Sequence, residues 1–285
     1  MSRRRELARR LAALGDIAGI LSAMRSLALM ESRVLQGILT SQRALVSGIE
    51  LAAADFLAWH RPFAALPATP PPELCVLVGS EQGFCGDFNE AMEARVRGSC
   101  ANSPGPGRWL VVGQRLCSRL ADHPLVALAL PGASVADEVP TTLLRLTAAV
   151  SDLLASEAAA GPGLSVLHHS AATGDIRLRR LLPLRELPEP RPYTFAVELN
   201  LPPADVLVGL SRHYLHAALS EALLDSLMAE NRQRELHMDR ALRRLDDDTE
   251  RLRRACNAQR QAEIIEEIEI LLLSADLLAN PGSAS

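Results

Sequence analysis

The sequence predicts two long terminal helices that pair as an antiparallel coiled coil, with an α/β domain inserted between them. Three observations carry this. Apolar residues recur at alternating steps of three and four along both ends of the chain, proline is absent from residues 1–61 and 204–280, and the middle alternates short apolar runs with short helical stretches. Composition agrees: 48% of the 285 residues are hydrophobic but only 3% are aromatic, so the buried surface must come mainly from Leu, Ala, Val and Ile, which suit long helices.

The first element is a helix over residues 1–61. Its apolar seam runs Leu7, Leu11, Leu14, Ala18, Leu21, then Ala28, Leu35, Leu39, Val46, Ile49, Ala53 and Phe56, interrupted at Arg25, Ser32 and Gln42. About 55 residues at 1.5 Å each would span roughly 80 Å, a length that needs a partner. Gly15, Gly19 and Gly37, together with the seam breaks, predict close and irregular packing rather than an ideal zipper.

The matching element covers 205–280, starting near Asp205 or Gly209. Its seam is Met238, Leu242, Leu245, Thr249, Leu252 and Cys256. Asp246, Asp247, Asp248 and Glu250 crowd acids into one to two turns, with Arg243, Arg244, Arg251, Arg253 and Arg254 placed to compensate; an exposed helix face is the expectation. Beyond them, residues 264–279 carry Ile and Leu on more than one side, more than a single helix partner covers, so a surrounding sleeve of protein is expected.

Between the two lies a domain at 73–204, opened by the proline-rich boundary 62–73. Strands are predicted at 74–78, 109–112, 125–130 and 164–168, helices at 89–97, 114–120 and 139–155, and further strands at 176–184 and 193–199. A breaker falls at 102–107. This alternation reads as a Rossmann-like α/β domain. The string Gly79–Asn89, GSEQGFCGDFN, follows its first strand but lacks both glycine-rich phosphate-binding patterns. Gly83 and Gly86 are expected to permit a tight turn, and Cys85 to be a small buried filler. His168 and His169 end a strand and face opposite ways, and His213 and His216 have no ligand register, so surface or packing roles are expected; Glu81, Asp87 and Asp175 are loop carboxylates that nothing in the sequence pairs.

Charge excludes some functions. All 30 basic residues are arginine and the net charge is −4, which speaks against a nonspecific nucleic-acid binder. Residues 1–60 hold eight arginines and five acids, whereas residues 209–285 hold ten and fourteen, so the two ends are of opposite sign. The five cysteines show no metal spacing and their odd number fits a reducing cytoplasm. Arg, Glu and Asp interrupt the N-terminal apolar run before it takes signal-peptide form. No stretch approaches 18 uncharged apolar residues, so membrane association is expected through partners only.

Three separated strings resemble the gamma subunit of F-type ATP synthases, in the correct order along nearly the whole chain. Ser80, Gly83, Phe84 in place of Leu, Cys85, Gly86, Phe88 and Asn89 resemble the family's S-x-x-G-L-C-G-x-F-N segment. Arg5, Glu6 and Leu7, with Ile17, Ile20, Ala23, Met24 and Arg25, are similar to its N-terminal R-R-I-x-S-V-x-N-T-x-K-I-T-x-A-M-K region. Asn257, Arg260, Gln261, Ala262, Ile264, Glu267, Ile268 and Ile270 resemble its C-terminal N-x-x-R-Q-A-x-I-T-x-E-I-x-E-I. Departures fall at Arg25–Glu31, at Ala241–Glu250 and past Ile270, and imply a divergent or alternate, sodium-type member.

The resemblance implies a noncatalytic central-stalk rotor without cofactor. Its terminal helices would turn within three alpha and three beta subunits, and its other end would join epsilon and the membrane c-ring, on the cytoplasmic face of a bacterial inner membrane. Met24, Arg25, Asn257, Arg260, Gln261, Ile264, Glu267 and Ile268 are the implied partner contacts; Gly83, Cys85, Gly86, Phe88 and Asn89 are the implied structural motif. The alternatives are a generic coiled-coil scaffold, which shares the periodicity but not the three strings, and a small α/β nucleotide-dependent enzyme, which requires a phosphate cradle that the sequence lacks.

Overall fold

The computed structural model describes residues 2–64, 73–100, 107–155, 163–184, 187–193, 195 and 198–279. Most of the proline-rich boundary, residues 102–106 of the second breaker and the last six residues lie outside them. In chain order the elements are α1 (Ser2–Trp59), α2 (Arg61–Ala64), β1 (Glu73–Val78), α3 (Phe88–Cys100), β2 (Arg108–Val112), α4 (Gln114–Leu120) and β3 (Val126–Leu130). A 3-10 turn at Ala136–Glu138 leads into α5 (Val139–Ala155), followed by β4 (Gly163–His169), β5 (Ile176–Leu182) and α6 (Pro203–Ala279). The fold is an antiparallel coiled coil of α1 and α6 with an inserted α/β domain. Helix α6 begins earlier than the seam suggests because Pro203 stands in its first turn, where no amide donor is required.

The chain divides into two compact units, residues 1–26 with 238–285, and residues 27–237. In the first, α1 and α6 run antiparallel: Arg4 pairs with Glu263 at 3.4 Å and Arg25 with Asp239 at 3.0 Å, one helix ascending in number as the other descends. The predicted seam holds here residue by residue. Leu7, Leu11, Leu14, Ala18 and Leu21 are half-buried, as are Leu242, Leu245, Thr249, Leu252 and Cys256, while Asp246, Asp247, Asp248 and Glu250 are exposed. Arg251 meets Asp248 at 3.7 Å and Arg254 meets Glu250 at 3.5 Å, so the acidic cluster is compensated along its own helix.

In the second unit the sheet has the order β3-β2-β1-β4-β5, parallel except for the β4–β5 pair. Alternation along the strands divides the core in two. Val76, Val78, Leu110, Val112, Leu164 and Val166 face Leu35, Leu39 and Val46 of α1, Leu143 and Leu146 of α5, and the buried run of α6 around Leu219–Leu227. Leu77, Val111 and Leu167 face Met92 and Val96 of α3 and Leu116 and Leu120 of α4. A sheet covered on both faces explains why β4 is buried along its whole length.

Three expectations are corrected. The described residues of 193–199 are in no strand: Pro188, Pro190 and Pro192 remove alternate amide donors just upstream, and the segment instead brings Arg191 to Asp55. The glycines of α1 do not mark close packing, since a Cβ at Gly15, Gly19 or Gly37 would meet nothing within 4 Å. The seam breaks are in part polar ties: Arg25 reaches Asp239, and Gln42 donates to the Ala217 carbonyl at 2.9 Å. Helix α1 also contains an 18-residue window of mean hydropathy 1.4, apolar enough by length and composition to cross a membrane, and only 6% of it is buried. The charge-free criterion passes over this window because charged residues are spaced within it.

Candidate functional site

In an open α/β sheet, ligands bind beyond the carboxyl ends of the strands, where the strand order reverses. That place here lies between β1 and β4, and α6 occupies it. Ser226 donates to the Val78 carbonyl at 3.2 Å, and Asp225 accepts from the Ala171 amide at 3.0 Å. Arg232 donates to the Ala171 carbonyl. The Glu230 carboxylate accepts from the amides of Glu81 and Gln82, each at 3.4 Å, and pairs with Arg234. Arg234 also reaches the Gly83 carbonyl at 3.3 Å and Asn231 at 2.6 Å. Burial pushes the Glu230 carboxyl up, opposed by Arg234 and the two amides.

The loop Gly79–Asp87 is shaped for this contact. Asn89, in the first turn of α3, accepts from the Ser80 amide at 3.0 Å and donates to the Ser80 hydroxyl at 2.7 Å. Phe88 stacks on His169 with ring centres 3.7 Å apart. Cys85 is buried, its thiol 3.5 Å from the Ser80 hydroxyl, and burial pushes its pKa up, so it serves as the expected filler. Gly86 adopts φ +65°, as a tight turn requires, but the second left-handed residue is Phe84, at φ +63°, rather than Gly83. The Glu81 carboxylate accepts from the amides of Gln114 at 2.9 Å and Gly132 at 2.6 Å, tying together the loops that follow β1, β2 and β3.

A second polar network links the sheet to both long helices. Arg179 on β5 bridges Glu50 of α1 at 2.6 Å and Glu221 of α6 at 2.7 Å. Burial alone would lower its pKa, but Tyr214, Glu221 and Glu50 outweigh that effect and hold the charge. Arg43 pairs with Asp225 at 2.9 Å, and His168 Nδ1 lies 3.8 Å from the same carboxylate. His169 meets the Phe88 carbonyl at 2.9 Å. Both histidines are buried and pushed below their ordinary range by desolvation.

The structure therefore gathers Gly83, Cys85, Gly86, Phe88 and Asn89 into one junction that fastens the α/β domain to α6. Met24 and Arg25 are half-buried on the coil, and Asn257, Arg260, Gln261, Ile264, Glu267 and Ile268 are all exposed on α6. Sequence reasoning left Glu81 without a partner and missed Glu221, Asp225, Glu230 and Arg234. A signal existed: Glu221 and Asp225, and Glu230 and Arg234, are two pairs four residues apart in and just after an apolar run, and on a helix buried all round such charges call for buried partners. Among the described residues no cluster of three or more His, Cys, Asp or Glu could hold a metal ion.

Comparison with known proteins bears on this junction and on the coil together. A family model described as ATP synthase matches residues 3–272. No curated protein matches significantly. Among solved structures, a chain of the Tetrahymena thermophila mitochondrial ATP synthase central stalk and c-ring is 19% identical, with TM-score 0.59, covering 78% of this chain and 99% of its own. A chain of the Euglena gracilis mitochondrial ATP synthase OSCP/F1/c-ring assembly is 11% identical, with TM-score 0.65, covering 100% and 97%. A chain of the Euglena rotor is 13% identical, with TM-score 0.56, covering 92% and 99%. At such identities these likenesses speak for the fold.

The chain belongs to the ATP synthase family. Its fold is that of a chain in the ATP synthase central stalk with c-ring and of a chain in the ATP synthase rotor.

Proposed function

We propose that the paired terminal helices turn inside a ring of three alpha and three beta subunits, while the domain at 73–204 and the helix segments beside it join epsilon and the membrane c-ring. Ion flow through that ring then drives the conformational cycle of the catalytic beta subunits, because successive faces of the coil favour different beta conformations.

One observation carries this reading: α6 uses apolar surface twice. One stripe closes the coil, while Ile264, Ile265, Ile268, Ile270, Leu271 and Leu272 remain 45–66% exposed. Such a surface calls for a cover. Apolar contacts are directionless, so a sleeve can hold an Ile/Leu surface through a full turn, whereas Arg260 and Gln261 make contacts that depend on orientation. In this reading Met24, Arg25, Asn257, Arg260, Gln261, Ile264, Glu267 and Ile268 touch beta, and the exposed apolar window of α1 belongs to the same covered surface. Membrane association comes through these partners, at the cytoplasmic face of a bacterial inner membrane, with no cofactor and no nucleic acid.

Coexpression with the alpha and beta subunits of the same complex tests the placement: a three-to-three-to-one assembly is expected, and a chain that only self-associates overturns it. Single-molecule rotation tests the contacts. Arg260→Glu is expected to slow ATP-driven rotation while leaving the thermal midpoint of the isolated subunit unchanged; normal rotation and normal ion pumping would sink the assignment.

A further inference from the structure

Phe, Trp and Tyr are scarce in this chain, nine in all, yet four of them gather at the end of α1 and beside the segment that precedes α6. Phe56, Trp59 and Tyr193 line a cavity of about 300 Å³, completed by Leu199 and by Val206 and Leu210 of the first turns of α6. Phe63 packs against Phe56 with ring centres 6.2 Å apart, and His60 stacks on Phe56 at 4.6 Å. The volume is at the small end of natural ligand sites, and the lining has their composition: mostly apolar and aromatic, with a few fixed polar groups.

The fixed polar groups are Asp55 and Arg191. Asp55 is buried, and its oxygens accept from the Arg191 amide at 2.7 Å, from Nε at 2.9 Å and from Nη2 at 2.8 Å. The carboxylate is thus fully engaged, and by engaging it orients the guanidinium. The side chain of Arg191 is 53% exposed, its Nη1 makes no hydrogen bond among the described residues, and its central carbon lies 5.2 Å from the Tyr193 ring centre. An oriented cation beside aromatic walls disfavours cationic ligands and favours an acceptor or an anion.

We propose that this cavity binds a small, planar, apolar molecule, a fused or substituted aromatic ring bearing one anionic or hydrogen-bond-accepting group. The ring fills the space between Phe56, Trp59 and Tyr193, and the acceptor meets the Arg191 guanidinium. The site lies within residues 27–237 and stands independently of the rotor assignment.

Calorimetric titration of the full-length chain with 2-naphthoate tests it, alongside uncharged 2-naphthylmethanol. One saturable site is expected. Val206→Trp, which fills the cavity with a ring of its own, is expected to weaken both probes by about tenfold or more. The double variant Asp55→Asn with Arg191→Gln, which avoids leaving a buried carboxylate alone, is expected to weaken naphthoate about tenfold and the alcohol much less. Circular dichroism and thermal melting establish that each variant is folded. Absence of saturable binding through the millimolar range overturns the proposal. So does binding that survives Val206→Trp in a folded variant, since the probe then sits elsewhere.

Discussion

The Glu81 carboxylate lies 2.9 Å from the amide nitrogen of Gln114, at the start of α4, and is held by the Gly132 amide as well. A side chain of the first loop thus supplies the negative group at a helix start, a place where other α/β proteins receive a phosphate. Glu81→Ala leaves two amides without this partner and is expected to cost about 1–3 kcal/mol. Glu81→Gln, which keeps one acceptor, is expected to cost less. Urea denaturation of the two variants measures the difference, and equal stability of Glu81→Ala and the unmodified chain would contradict the role.

Glu230 and Arg234 are paired across one turn of α6, their side chains 3% and 6% exposed. Arg234→Met strands the carboxylate in the junction, and a loss of about 3–5 kcal/mol is expected. Adding Glu230→Gln removes the stranded charge, so the double variant is expected to recover much of that loss. A double-mutant cycle in urea reads the coupling.

His168 and His169 bear on pH. Both have folded pKa values below the unfolded value near 6.5, chiefly through burial; Asp225 opposes this for His168 and the Phe88 carbonyl for His169. The native state therefore binds fewer protons than the unfolded state as pH falls. Stability is full above pH 6.5 and is lost as pH drops through 6.5 towards the folded values, by up to about 1.4 kcal/mol per pH unit for each histidine. Unfolding free energies measured between pH 5 and 8 should show this slope, and His169→Gln should reduce it by about half.

Arg25 contacts Asp239 at 3.0 Å, and Asp239 also receives Arg243 at 2.8 Å. Arg25→Glu alone places like charges together on the coil, although the pair is partly exposed and the cost is expected within about 1 kcal/mol. The exchange Arg25→Glu with Asp239→Arg restores the internal pair. If Arg25 also contacts beta, rotation stays slow in the exchanged variant while the thermal midpoint returns. Recovery of both would assign Arg25 to the coil alone.

Gly37 lies on the exposed face of α1, with nothing within 4 Å of an added Cβ. Gly37→Ala is expected to stabilise the isolated subunit by about 0.5–1 kcal/mol, through helix propensity and a less flexible unfolded chain. A thermal melt checks this, and a lower midpoint would mean that the position is more crowded than its surroundings indicate.

The seam of α1, from Leu7 to Phe56, was legible because helix period is a local property: a residue three or four places on returns to the same face whatever its partner turns out to be. Strands at 74–78, 109–112 and 164–168 were legible for a similar reason, as short apolar runs between breakers. The identity of the motif Ser80–Asn89 was readable, but its purpose was not. Phe84 takes a left-handed conformation, and Glu81 bridges Gln114 and Gly132 across 33 and 51 residues, contacts that spacing along the chain does not show.

Sequence by itself determined the two long helices, the alternating α/β insert and the family strings, since periodicity and local pattern suffice for each. Only the tertiary structure decided that the crevice beyond β1 and β4 belongs to α6, that Arg179 is shared by Glu50 and Glu221, and that the described residues after β5 form no strand but carry Arg191 to Asp55. Those outcomes depend on where buried charges find partners. A buried charge must be satisfied somewhere, but which distant residue satisfies it is set by the packing of the sheet against the helices and not by spacing along the chain.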